Sequence, residues 1–201
     1  MTAIINYDAG NLFSVVASIE KLGEKTRIAS RPDELDGADR IILPGVGAFN
    51  SGIRNLRESG IENRLRKEID RGTPVLGICL GLQLFFERSE EGDLPGLGIL
   101  PGKVVRFPDN IGLPVPHMGW NTVSFKSCPP VLEGIPEGSY FYFAHSYYPV
   151  PDDGNVQVGF TFYGVEFVSI VQAENVIGVQ FHPEKSAHAG EMLLNNFLAM
   201  K

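Results

Sequence analysis

The chain has 201 residues, 43% of them hydrophobic and 20% charged, with a formal net charge of −7. That composition suits one globular core and excludes a disordered or fibrous chain. Its 17 basic residues are dispersed, and the densest run, "RLRKEIDR" at 64–71, is interleaved with acids. This reads as a solvated helix face and argues against nucleic acid as a partner. No apolar run reaches 18 residues, so neither a membrane-spanning helix nor a signal peptide is expected, and no membrane partner. The two cysteines, 49 positions apart, are poor material for a disulfide framework. A reducing, cytoplasmic setting is the expectation.

In chain order, "AIINY" (3–7) predicts a buried strand. "NLFSVVASIEKLG" follows, with Leu12, Val15, Val16, Ile19 and Leu22 on one helix face, Asn11 as N-cap and Gly23 as stop. "KTRIAS" and "RIILPG" (40–45) predict two more strands, and two helical pieces flank Gly60, the second with Ile61, Leu65 and Ile69 four residues apart. "PVLGIC" (74–79) predicts a fourth strand and "LGLQLFFERSEE" (80–91) a helix. Strands alternating with helices imply a doubly wound α/β fold, with a mostly parallel central sheet and helices on both faces.

The second half is rich in Pro, Gly and aromatics: "GKVVRFP", "PHMGWNTVSF", "SYFYFAHSYYPV", "VQVGFTFYGVEFVSIVQ" and "VIGVQF". These short strands predict an antiparallel extension of the sheet. A last helix covers "AHAGEMLLNNFLAMK", and no linker or repeat divides the chain. One domain over 1–201 is expected.

Cys79 ends the fourth strand between Gly77 and Gly81. A small buried cysteine would fit there. So would a nucleophile on a strand-to-helix elbow, where glycines permit a tight turn. The positive end of a helix dipole favours a thiolate over a thiol, and the N–H of Leu80 would face a developing oxyanion. Among four histidines, His182 stands out: it follows "VIGVQF" and opens "HPEK", with Glu184 two residues on. In extended backbone i and i+2 share a side, and Pro183 disfavours helix at His182, so a carboxylate can orient an imidazole base. His117 and His145, among aromatics, read as packed or hydrogen-bonded, and His188 as exposed. "ILPGVGAF" (42–49) leaves a strand at the same sheet edge as Cys79, so the amides near Val46 and Gly47 could supply a second oxyanion donor. It lacks both the P-loop ending and the full G-x-G-x-x-G pattern, and no nucleotide, other cofactor or metal is expected.

With these pieces assembled, the chain resembles the class I glutamine amidotransferases. The order Cys79, His182, Glu184 is theirs, and "GICLGLQ" is close to their G-[IV]-C-x-G-x-Q, with Leu82 where many relatives carry methionine. The likeness extends over essentially the whole chain. It implies that Cys79 attacks the amide of L-glutamine, that His182 moves protons, and that Glu184 orients His182. It implies an oxyanion hole from Leu80 and the Val46–Gly47 segment. Gln83 and Glu91 would hold the amino-acid end of glutamine, and the backbone of Ser146 and Tyr147 would close over it. "INYDAGN", "LPGVGAF", "PHMGWN", "FAHSYY" and "FHPEKS" resemble one branch, whose ammonia passes to a separate (β/α)8 cyclase subunit in a heterodimer. In that branch Asn11, Trp120, Tyr142 and Lys185 face the partner. Trp120 and Tyr142 also fit as core aromatics, Asn11 as a helix cap, and Lys185 as a solvated charge. The alternative is a glutaminase serving anthranilate, aminodeoxychorismate or pyridoxal phosphate synthesis. An inert glutamine-binding module has no need of a nucleophile, and a hydrolase-type chain order does not match.

Overall fold

Four short runs have every residue buried or nearly so: β1 (Thr2–Ile5), β3 (Arg40–Leu43), β4 (Val75–Ile78) and β13 (Val176–Val179). Continuous apolar runs of this kind mark strands covered on both faces. Side chains alternate between the faces: Ala3, Ile5, Ile41, Leu43 and Val75 join one core, while Ile4, Ile42, Leu76, Ile78 and Ile177 join the other. Helices α2 (Phe49–Glu58) and α3 (Ile61–Asp70) cover the first core with Ile53, Leu56, Ile61 and Leu65. Helices α1 (Leu12–Lys21) and α5 (Ala187–Ala199) cover the second with Val15, Ile19, Leu193 and Phe197. The computed structural model describes residues 1–8 and 10–200; Ala9 of "INYDAGN" and Lys201 of the last helical run lie outside the described residues.

The other strands are β2 (Thr26–Ala29), β5 (Arg88–Ser89), β6 (Gly102–Arg106), β7 (His117–Thr122), β8 (Ser124–Phe125), β9 (Tyr140–His145), β10 (Tyr147–Pro151), β11 (Gln157–Tyr163) and β12 (Val165–Ala173). The main sheet has the order β2-β1-β3-β4-β13-β12-β11-β8. It is parallel from β2 to β13 and antiparallel from there to β8. This is the doubly wound sheet with an antiparallel extension that the residue pattern predicts. Two smaller sheets, β10-β6-β5 and the ribbon β7-β9, lie beside it. Among the described residues no helix is long and apolar enough to cross a membrane.

One element departs from expectation. The helix after Cys79, α4, covers only Leu80–Leu84 rather than 80–91. The carbonyls of Leu84, Phe85 and Phe86, which would accept from the next helical turn, accept instead from the amides of Leu97, Ile99 and Gly98 at 2.8, 2.8 and 3.2 Å. The 97–100 segment folds back, and both phenylalanines are buried. A helix this short offers Cys79 less dipole than the longer one would.

Candidate active site

The C-terminal ends of β1, β3, β4 and β13 lie side by side, the edge where open α/β sheets bind ligands. From β4 comes Cys79, at φ 53° and ψ −106°, a conformation that costs a non-glycine residue about 1–3 kcal/mol. The flanking glycines explain how the turn closes. A Cβ on Gly77 would sit 2.8 Å from the Leu82 amide nitrogen, and one on Gly81 would collide with the Leu43 carbonyl oxygen. The elbow anticipated around Cys79 is therefore present, and the thiol is only 5% exposed.

His182 and Glu184 come from the turn after β13. The imidazole Nδ1 is 2.9 Å from Glu184 Oε1, and the two side chains are 2% and 0% exposed. The His182 amide donates to the Tyr142 carbonyl at 2.8 Å and its carbonyl accepts from Ser186 Oγ at 2.6 Å, which fixes the residue between β9 and the start of α5. Burial works to lower the His182 pKa, but contact with Cys79 and Glu184 outweighs it and raises the pKa to about 10. Its Nε2 is buried without a hydrogen-bond partner, and the thiol is the neighbour close enough to influence it. Asn11 donates its side-chain amide to Glu184 Oε1. It stands at the N-cap position of α1 with φ 70°, but makes no capping bond there. The side chain is engaged by the carboxylate rather than by the helix.

In front of the thiol lies a cleft of about 220 Å³ lined by Val46, Gly47, Cys79, Leu80, Gln83, Glu91, Ser146 and Tyr147, with Pro116, Met118, Ala144 and His145 completing it. Every residue that the family resemblance assigned to the oxyanion or to glutamine thus meets in one place. Details differ from the simplest expectation. The Leu80 amide, expected to be free for an oxyanion, donates to the Gly45 carbonyl at 3.3 Å. The loop that carries this carbonyl is anchored by Tyr7, whose buried hydroxyl donates to the Pro44 carbonyl at 2.6 Å. Gln83 Nε2 donates to the Tyr147 carbonyl at 3.0 Å and to Gln180 Oε1 at 3.2 Å, which leaves only its Oε1 to receive a ligand. The Ser146 and Tyr147 carbonyls already accept from Phe107 N and Gln83 Nε2. The Tyr147 carbonyl, which also lies 2.8 Å from His145 Nδ1, is thus fully engaged within the protein. Glu91 accepts from the Phe49 amide at 2.9 Å; burial raises its pKa, an effect this bond partly offsets.

The remaining assigned residues sit on the outer rim. Trp120 is 52% exposed and meets the Tyr142 ring edge-on at 6.1 Å, while Lys185 Nζ lies 5.8 Å above that ring. Met118, 63% exposed, joins the rim to the cleft. His117 and His145 are buried and paired, Nδ1 to Nε2 at 3.1 Å, the hydrogen-bonded role read from their aromatic surroundings. Burial lowers their pKa values to about 4 and about 3, so both are neutral. Gln180, which no motif had drawn attention to, contacts the thiol. A polar residue in the otherwise apolar "VIGVQF" was the signal for it, since a buried amide needs partners. Among the described residues no group of three or more His, Cys, Asp or Glu could hold a metal ion.

The model of the glutamine amidotransferase class-I family matches residues 3–200. The imidazole glycerol phosphate synthase subunit HisH of Moorella thermoacetica is 49% identical over 97% of this chain and 92% of its own. That of Aquifex aeolicus is 46% identical over 98% and 95%. Among solved structures, PurLQS from Thermotoga maritima superposes with a TM-score of 0.79 at 21% identity, over 98% of this chain and 96% of the other, a likeness of fold. The chain belongs to the class I glutamine amidotransferases and, within them, to the imidazole glycerol phosphate synthase HisH subunits.

Proposed function

We propose that this chain is the glutaminase subunit of an imidazole glycerol phosphate synthase in histidine biosynthesis, a single amidotransferase domain that hydrolyses L-glutamine. The Cys79 sulfur attacks the side-chain carbonyl carbon, and the proton of the thiol–imidazole pair resides on His182 Nε2. That proton passes to the amide nitrogen, the C–N bond breaks, and ammonia leaves a glutamyl thioester. Water then gives a proton to His182 and adds to the thioester, the C–S bond breaks, and glutamate departs with the thiol restored. Glu184 holds the imidazole by Nδ1–H, which leaves Nε2 for this traffic. The observation that carries the reading is the buried His182–Glu184 pair with its unpartnered Nε2, in one molecule with a strained, glycine-flanked thiol that lines a cleft.

An oxyanion would draw on the Leu80 amide and the Val46–Gly47 backbone. Because Leu80 N–H is engaged by Gly45, that bond has to open first, so the free chain is expected to be a slow glutaminase. Loss of one oxyanion donor typically costs ~10²–10³ in rate. Glu91 and Gln83 Oε1 are suited to the ammonium end of glutamine, both being acceptors. Ammonia in neutral water becomes ammonium and ceases to be a nucleophile, so it has to be delivered under cover; by similarity to the HisH subunits, the acceptor is a separate cyclase subunit, a (β/α)8 barrel in a heterodimer. The apolar rim of Met118 and Trp120 with Tyr142 and Lys185 supports such a contact, whereas Asn11 serves the Glu184 side of the site.

The test is glutamate release by the purified chain, with and without the cyclase subunit and its nucleotide substrate. Turnover should rise by orders of magnitude when both are present. Cys79→Ala should abolish it while the complex still uses added ammonium salts. Glutaminase activity retained by Cys79→Ala would remove the thiol from the mechanism.

A further inference from the structure

A primary amide without exposed surface is costly unless both its ends are hydrogen-bonded, and Gln180 has no exposed surface. Its position follows from strand register. β13 pairs with β4 so that Val179 faces Ile78, and one further step sets Gln180 beside Cys79. Gln180 Nε2 donates to Cys79 Sγ at 3.7 Å, and Gln180 Oε1 accepts from Gln83 Nε2 at 3.2 Å.

Amide nitrogen and oxygen are easily interchanged in assignment, yet here a backbone carbonyl decides the direction. The Tyr147 carbonyl can only accept, so the Gln83 atom 3.0 Å from it is the nitrogen. The Gln180 atom facing that same nitrogen must then be the oxygen, which turns the Gln180 N–H toward the sulfur. The Tyr147 carbonyl is itself held, since it also lies 2.8 Å from His145 Nδ1. That nitrogen must donate, which leaves His145 Nε2 to accept from His117 Nδ1 at 3.1 Å. The orientation of the amide at the thiol is thus set by a closed sequence of donors and acceptors.

We propose that Gln180 is a further residue of the reaction: its N–H acts on the Cys79 sulfur, and its carbonyl positions Gln83. The inference rests on the glutaminase reading of this site. A hydrogen bond given to a charged atom favours the charged form. Gln180 therefore favours the nucleophilic thiolate and stabilises the sulfur again as it leaves the thioester. Through Gln83 the same amide fixes a side chain that receives glutamine, so nucleophile and substrate are aligned by one buried group.

The experiment is the pH dependence of Cys79 alkylation by iodoacetamide in the full chain, followed by mass spectrometry on the Cys79 peptide so that exposed Cys128 does not interfere. Gln180→Met keeps the length and removes the donor. Its alkylation midpoint should move to higher pH, with a rate at neutral pH roughly tenfold below wild type, as for loss of one hydrogen bond to a charged group. An unchanged midpoint in a variant with wild-type circular dichroism would overturn the proposal. Should Gln180→Met fail to fold, the side-chain amide ¹H–¹⁵N signals of Gln180 in the wild-type chain decide. Signals that titrate with the thiol support the contact, and signals that ignore both thiol titration and alkylation overturn it. Alkylation requires neither glutamine nor a partner. Failure of the glutaminase reading would show separately, as absent glutamate release by the wild-type complex.

Discussion

One wall of the cleft, from the parallel half, presents backbone: the Gly45–Gly47 loop and the Cys79 elbow. The other, from the β7-β9 ribbon and the start of β10, is held by side chains locked to one another: His117 behind it on His145, and His145 on the Tyr147 carbonyl. The first depends on missing Cβ atoms that let chain segments touch. The second depends on missing protons, since a doubly protonated imidazole has no acceptor to offer. An added methyl group should therefore break one wall, and an added proton the other.

The largest effect is expected on the backbone wall. In Gly81→Ala the new methyl meets the Leu43 carbonyl, a backbone atom in the middle of the sheet edge. Destabilisation of roughly 4 kcal/mol or more is expected, read as a fall in melting temperature or as insoluble protein. A variant with wild-type stability would mean that the elbow is looser than its packing implies.

Asn11→Ala tests the link between α1 and the carboxylate. Its amide is a hydrogen bond to a charged group, worth about 1.5–3 kcal/mol, so kcat for glutamine should fall about 10- to 100-fold with KM little changed. Ammonium-driven synthesis by the complex should be untouched. If that ammonium-driven activity fell equally, Asn11 would be acting at the partner contact instead.

The side-chain wall is tested by pH. His145 has its folded pKa lowered from 6.5 to about 3, chiefly by burial, with the Tyr147 carbonyl opposing and His117 and His182 adding to the shift. The unfolded chain then binds more protons between these values, so stability falls as pH drops below 6.5. One and a half pKa units between pH 6.5 and 5 amount to about 2 kcal/mol. His182 has the opposite sign: its raised pKa gives stability that is complete below 6.5 and lost as pH rises through about 10. Thermal melts at pH 7 and 5 should show the acid loss, and His145→Gln should show less of it. Equal acid sensitivity in both would place the effect elsewhere.

Much of this was legible beforehand because local rules coincide with the fold. The apolar runs at 3–5, 41–43 and 75–78 are strands since only a doubly covered sheet buries them. The elbow at Cys79 and Gly81 follows from glycine-permitted turning, whereas His182 and Glu184, expected to pair through extended chain, are brought together by a 3₁₀ turn over Pro183–Lys185 that follows the extended His182. Less legible were the ends of elements. Nothing local in "LQLFFERSEE" reveals that the 97–100 segment takes the carbonyls of Leu84, Phe85 and Phe86 and halts the helix.

The sequence by itself determined the α/β alternation, the elbow and the histidine–carboxylate pair, because each is set by neighbours within a few residues. Only the tertiary structure decided how donors and acceptors from distant segments are matched. Asn11 and Glu184 lie 173 positions apart, and Gln180 and Cys79 lie 101 apart. Hydrogen-bond partners across such separations are chosen by strand register and by which buried atom would otherwise go unpaired, and neither is written in any single stretch of chain.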